Sequence, residues 1–164
     1  MRKEFASKLY EQMKNNKDIW LVVGDLGYGI WDKVREDFPD RFLNTGAAEQ
    51  SAVDICIGLA LEGKIPIWYS IATFLLYRPF ESLRIYINHE SIPVKLVASG
   101  RGKEYSHDGI SHWSEDAKYF LDGLPNIHQH WPDFNEWSEN GESVEGLFPH
   151  IITSGKPEFI SLHR

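Results

Sequence analysis

This 164-residue sequence has little of what marks several common protein classes. Cys56 is the only cysteine, so no intrachain disulfide can form and a reducing, cytoplasmic setting is expected. No run of basic residues is present: 17 Lys and Arg stand against 24 Asp and Glu, a formal charge of -7. That balance argues against nucleic-acid binding, which needs a cationic track for the phosphates. Long apolar runs are missing too. The most apolar stretch, Ile65 to Tyr77, is broken by Pro66 and falls short of the roughly 20 residues of a membrane-spanning helix, so no membrane role is expected. The first residues have helical spacing and charges where a signal peptide would have an apolar core. The segment Gly24-Asp-Leu-Gly-Tyr-Gly29 lacks the spacing and the following Lys of a phosphate-cradling loop.

What is present suits a single compact domain, with 42% hydrophobic residues in a length too short for two cores. Phe5, Leu9, Tyr10 and Met13 share a helical face, and Asn15-Asn16 closes that helix before the buried-strand run Ile19 to Val23. A loop over Gly24 to Gly29, a short helix from Ile30 to Phe38 and a strand from Arg41 to Asn44 follow. Ala48, Ala52, Ile55, Cys56 and Leu59 form a stripe on a helix that Gly63 ends. The pattern then predicts a strand at Ile65 to Ser70, a helix over Phe74 to Asn88 despite Pro79, and a strand at Val94 to Ala98. Beyond a polar loop, Ser99 to Ser114, come a helix ending near Gly123, a short strand near Asn126 to Gln129, a helix from Pro132 to about Phe148 and a last strand, Glu158 to Leu162. Short strands alternating with helices predict an α/β fold, doubly wound, on a mainly parallel sheet with helices on both faces. Ligands of such folds sit beyond the carboxyl ends of the strands, which directs attention to the loops there.

Those loops hold Asp25 in a Gly-rich turn, Glu49 at a helix start, Phe74, Tyr77 and Phe80, and His107-Asp108-Gly109-Ile110-Ser111-His112. Each is ambiguous alone. A carboxylate in the first helical turn is favoured by the free amides there. Aromatics spaced by three on a helix read first as core packing. His107, Asp108 and His112 without a Cys make a weak metal pattern, and His128 and His130, sharing a strand face, are equally unspecific, so no metal site is expected on this chain. Cys56, mid-helix on the apolar stripe, reads as a structural thiol.

Jointly, Asn44-Thr-Gly-Ala-Ala-Glu-Gln50, then Tyr69-Ser-Ile-Ala-Thr-Phe-Leu-Leu-Tyr-Arg-Pro-Phe80, then His107-Asp-Gly-Ile-Ser-His112 resemble, in order and spacing, the pyrimidine-binding domain of transketolases. The resemblance runs from about Asp18 to Arg164 and implies the thiamine-diphosphate-binding fold, a transferase activity and a place in carbohydrate metabolism. It implies that Glu49 hydrogen-bonds N1' of the cofactor's aminopyrimidine and, shielded from water, helps the ring act as the base that removes the C2 proton. It places Phe74, Tyr77 and Phe80 around the pyrimidine and Asp25 near the thiazolium side. It sets Asp108 and His112 against the sugar, with His112 also able to shuttle a proton, and Arg164 on the substrate's phosphate.

The sequence departs from the family in three places. The Gly-Asp-Gly motif and later Asn that hold Mg2+ and the diphosphate are absent, as is the C-terminal domain of ordinary transketolases. Gly100 stands where many transketolases have a histidine. The expectation is one pyrimidine-binding domain over 1–164, either a subunit of a split transketolase or a piece of a longer one, that works beside a diphosphate-binding transketolase subunit, as a homodimer or heterotetramer, transferring a two-carbon ketol unit between sugar phosphates. The alternatives are a deoxyxylulose-phosphate synthase-like or 2-oxo acid dehydrogenase β-like subunit, or a non-catalytic assembly domain of the same fold.

Overall fold

The computed structural model describes residues 1–133 and 143–164. In chain order the elements are α1 (Arg2–Asn15), β1 (Ile19–Val23), α2 (Asp32–Asp37), β2 (Phe42–Asn44), α3 (Glu49–Leu61), β3 (Ile65–Ile71), α4 (Ala72–Tyr77), the single turn α5 (Phe80–Ser82), a π-helical stretch (Leu83–His89), β4 (Lys95–Ser99), α6 (Ala117–Asp122), β5 (His128–His130), α7 (Val144–Thr153) and β6 (Glu158–Leu162). The six strands form one sheet in the order β2-β1-β3-β4-β6-β5, and every pairing is parallel.

Alternation along the strands explains why both faces of the sheet are covered, since successive side chains point to opposite sides. Val22, Trp68, Leu96, Ala98 and Phe159 pack with Ala52, Val53, Cys56 and Ile57 of α3, Leu75 and Leu76 of α4, and Leu121 of α6. Their neighbours Leu21, Val23, Ile67, Tyr69, Val97, Ile160 and Leu162 face the other way, against Phe5, Leu9 and Met13 of α1 and Val144, Phe148 and Ile151 of α7. The expected doubly wound α/β architecture is therefore present. Because β1 pairs with both β2 and β3, the chain leaves β1 in one direction and returns past it, and the switch point lies between β1 and β3. The loops after β1, β2 and β3 meet there.

Several boundaries differ from the sequence expectations. The helix expected over Ile30 to Phe38 is confined to Asp32–Asp37, and Arg41 lies in a 3-10 turn before β2. The Arg41 guanidinium donates to the carbonyls of Met13, Asn16 and Ile19, which ties the end of α1 to β1. On α3 the buried set is Glu49, Ala52, Val53, Cys56 and Ile57, so Ile55, half-exposed, leaves the expected stripe. The continuous helix expected over Phe74 to Asn88 is interrupted after Tyr77. Pro79 cannot donate to the carbonyl one turn back, and the chain resumes as one turn and then the wider π-helical stretch. The short strand shifts to His128–His130. The helix expected over Pro132 to Phe148 falls partly on 134–142, outside the described residues; Trp131 to Asp133 are not helical and α7 runs on to Thr153. Ser143 starts it, its hydroxyl accepting from the Gly146 amide at 3.1 Å.

Cys56 is fully buried, and burial pushes its thiol pKa well up. The expected outcome with a thiol-specific chromogenic reagent is no reaction with the native chain and one equivalent after urea unfolding. Rapid native labelling would contradict this packing.

No helix among the described residues is long and apolar enough to cross a membrane.

Candidate functional site

Glu49 opens α3 at the switch point, immediately beyond the carboxyl end of β2. The turn before it requires Gly46, whose φ is +67°. Asn44 fixes that turn: its side-chain oxygen accepts from the Gly46 and Asp25 amides, each at 2.9 Å, joining the loops after β1 and β2. Glu49 is only 3% exposed, yet nothing lies within 4 Å of the position a Gly46 Cβ would take. The carboxylate is thus shielded by the protein with open space near the loop that leads to it.

Its partner in the structure is Arg78, which the sequence did not single out. Arg78 Nη1 donates to Glu49 Oε1 at 2.6 Å, and the guanidinium carbon lies 3.7 Å from the centre of the Phe74 ring. Phe74 meets His112 edge-on at 4.8 Å, and His112 lies 6.3 Å from Tyr105. Tyr105 Oη accepts from Arg2 at 3.2 Å, shares a hydrogen bond with Ser99 at 2.9 Å, and its ring carries the Arg164 guanidinium at 4.9 Å. An unbroken arc of side chains therefore runs from Glu49 through Phe74 and His112 to Arg164. At its far end Arg2, Lys3 and Arg164 line an open cavity of about 680 Å³ together with Gly27, Tyr28 and Gly29. Three cationic side chains around one cavity suit an anion.

The other residues expected at the site occupy its margins. Tyr77 and Phe80 both pack on Phe120, at 5.2 and 5.0 Å, and the Tyr77 hydroxyl donates to Asp116 at 2.5 Å. Partial burial and then that carboxylate push the Tyr77 pKa up. Asp108 is exposed and pairs with His107 at 3.1 Å. Thr73 at the start of α4 donates to the Ser111 carbonyl at 2.7 Å, which holds the His107 to His112 loop over the helix bearing Phe74. Asp25, with φ +53°, accepts from the Tyr28 hydroxyl at 2.6 Å and then more weakly from Asn44, and these bonds hold its carboxyl below the usual range.

Two further residues behind the arc explain its geometry. A Cβ on Gly100, whose φ is +86°, would lie 2.3 Å from the Tyr105 ring, so glycine there makes room for the tyrosine. Glu104 accepts from the Arg101 and Arg164 amides at 3.0 and 2.9 Å, and from His163, fixing the backbone that carries Arg164. The Arg101 guanidinium in turn donates to the Ser161 hydroxyl at 3.0 Å.

These residues fit the aminopyrimidine half of a thiamine cofactor. A buried carboxylate, adjacent open space and an aromatic ring stand together, with the Arg78 guanidinium, 44% exposed, lying over Phe74 and bonded to Glu49. In the Gly24 to Gly29 loop Asp25 is the one carboxylate, and Tyr28 and Asn44 already hydrogen-bond it.

Comparison with known proteins gives the family of the chain. Residues 1–161 match the transketolase pyrimidine-binding domain. A protein described as a putative transketolase C-terminal section from Methanocaldococcus jannaschii is 30% identical over 128 residues, 77% of this chain and 40% of that protein. One subunit of an apulose-4-phosphate transketolase from Actinobacillus succinogenes is 36% identical over 123 residues, 74% of this chain and 40% of that one. A solved split-gene transketolase, described as an inactive β4 tetramer, superposes with a TM-score of 0.82 at 26% identity over 99% of this chain and 51% of its own. The chain thus spans about half or less of the length of these relatives. It belongs to the transketolase pyrimidine-binding domain family, a family of thiamine-dependent transferases.

Proposed function

We propose that this chain supplies the pyrimidine half of a thiamine diphosphate site and, with a partner that supplies Mg2+ and the diphosphate half, transfers a two-carbon ketol unit between sugar phosphates. The observation that carries the reading is Glu49, 3% exposed at the switch point of the parallel sheet and linked by one arc of side chains to a cationic cavity. Bound cofactor would supply the nucleophilic carbon that takes up and passes on the ketol unit. This chain's residues do the rest. Glu49 holds N1' of the ring and shares its proton. Phe74, Tyr77 and Phe80 wall the ring, and Asp25 borders its thiazolium side. Asp108 and His112 bind the sugar hydroxyls, with His112 moving a proton. Arg164, joined by Arg2, binds the phosphate with charge-assisted bonds.

A partner polypeptide is supported by two of the similar proteins, one a subunit of its transketolase and the other the product of a split transketolase gene. It is supported too by exposed apolar residues on the α3 and π-helical surface, Ile55, Leu61 and Tyr86. The assembly proposed is a homodimer, or a heterotetramer of two such pairs, working in the cytoplasm, where buried Cys56 stays reduced.

The test is a reconstitution with a diphosphate-binding subunit, thiamine diphosphate, Mg2+, an aldose phosphate as acceptor, and as donors a panel of phosphorylated ketoses, their dephosphorylated forms, and pyruvate. Two-carbon transfer restricted to phosphorylated ketoses is expected. Arg164→Ala should raise KM for them by about 10–100-fold with kcat little changed, since it removes uniform phosphate binding. Turnover of pyruvate alone, or no cofactor binding by calorimetry in any mixture, would overturn the proposal.

A further inference from the structure

The end of the sheet away from Glu49 carries a second cluster that thiamine chemistry does not use. Glu158 begins β6 and is wholly buried. His130 Nε2 meets Glu158 Oε2 at 2.7 Å, and His150 Nε2, from α7, lies 3.4 Å from Glu158 Oε1. The two imidazoles approach edge to face at 5.8 Å, and all three ligand atoms lie within 4.8 Å of one another. Among the described residues this is the set of His, Cys, Asp and Glu with such geometry. The register pairs His128 with Glu158, so His130 and Glu158 point to the same side of the sheet, the side α7 covers.

From this geometry we infer that His130, His150 and Glu158 bind a divalent transition cation of the Zn2+ class. Metal bonds of about 2.0–2.2 Å in tetrahedral array put ligand atoms about 3.3–3.5 Å apart. The His150 contact is to Oε1 and the His130 contact to Oε2, so a small rotation of the carboxylate, with the His130 contact opening by under one ångström, brings one oxygen into that range of both imidazoles. The donor set of two imidazoles and one carboxylate suits Zn2+ and not Mg2+ or Ca2+, which take oxygen ligands. A carboxylate ligand must be ionised. Lys95 is the competing cation, yet its ammonium donates to Ser154 O, Ser154 Oγ and Lys156 O, which leaves the Glu158 oxygens to the imidazoles and Ser154. His150 is 55% exposed, so a water can take the fourth position and the ion has a way in. Bound there, the ion would fasten α7 to β5 and β6. At about 3.3 Å per residue, the length of β6 sets it some 13 Å from the end that carries Arg164.

The experiment is calorimetric titration of the chelator-stripped chain with Zn2+, repeated with Co2+ for its visible absorption. One ion per chain is expected, with no competition from Mg2+. His150→Ala, a half-exposed change that leaves the far-ultraviolet circular dichroism intact, should weaken binding at least about tenfold. Glu158→Gln, which keeps the side chain's size, should abolish it. His107→Ala, at the other end of the sheet, should change nothing. Absence of stoichiometric Zn2+ binding, binding that survives His150→Ala unchanged, or binding lost in His107→Ala would each overturn the inference.

Discussion

Glu49→Gln in the reconstituted enzyme is expected to lower kcat by about 10²–10⁴-fold while the chain stays folded. The substitution preserves size and the ability to accept a hydrogen bond, and removes the negative charge and the capacity to share a proton with a ring nitrogen. It therefore separates the proposed role from the structural one. As a structural carboxylate, Glu49 contributes at the start of α3, where an anion is favoured by about 0.3–1 kcal/mol, and in its pair with Arg78. That pair is half-buried, with Glu49 at 3% and Arg78 at 44% exposure, so losing it costs stability and leaves a partly hydrated guanidinium. A purely structural Glu49 predicts a lowered Tm with turnover intact. The proposed role predicts lost turnover even at temperatures where the variant is fully folded. A kcat within a few-fold of the wild type, measured with saturating cofactor and partner, would sink the assignment.

Much of the fold was legible because buried parallel strands announce themselves as short apolar runs: Ile19 to Val23, Ile65 to Ser70 and Glu158 to Leu162 sit where the sequence suggests. The misread stretches share a cause. Apolar periodicity continues through Pro79, and only the backbone's missing donor reveals the break into α4, α5 and the π-helical stretch. Ile55 fits the α3 stripe by spacing, but which arc of a helix is buried depends on the elements laid over it. In the candidate site, Glu49, Phe74 and His112 stand out in the sequence through their ordered motifs; the structure joins Glu49 to Phe74 through Arg78, and Phe74 to His112 directly. Arg78, Arg2 and Tyr105 left no local signal. Arg78 reaches Glu49 across 29 residues and Arg2 reaches Tyr105 across 103, and in sequence a lone arginine looks like any solvated one. The same distance problem hid the metal-binding set: His130 was paired in sequence with His128, whereas its partners are His150 and Glu158, which only the packing of α7 on β6 brings near.

Trp68→Ala is expected to lose about 3–5 kcal/mol of stability, a large part of the roughly 5–15 kcal/mol of a typical domain, and to disorder the site as well. Among the described residues Trp68 is the largest fully buried side chain, projecting from β3 into the cluster beneath α3 with Val22 and Ala52. Its ring also approaches Gly24 so closely that a Cβ there would meet it at 3.0 Å. One side chain thus fills the space under both the helix that begins with Glu49 and the loop that carries Asp25. Removing the indole leaves a cavity at the switch point, which the rigid parallel strands on either side cannot close. Trp68→Phe separates the packing from the polar part of the ring. Its Nε1 has no hydrogen-bond partner among the described residues, so phenylalanine gives up volume but also removes a buried, unsatisfied donor. The expected loss is correspondingly smaller, about 1–2 kcal/mol. Urea unfolding of the three proteins, followed by far-ultraviolet circular dichroism so that the lost tryptophan does not bias the signal, gives the ordering directly. An alanine variant within about 1 kcal/mol of wild type would mean that Trp68 does not support the ground on which Glu49 and Asp25 stand.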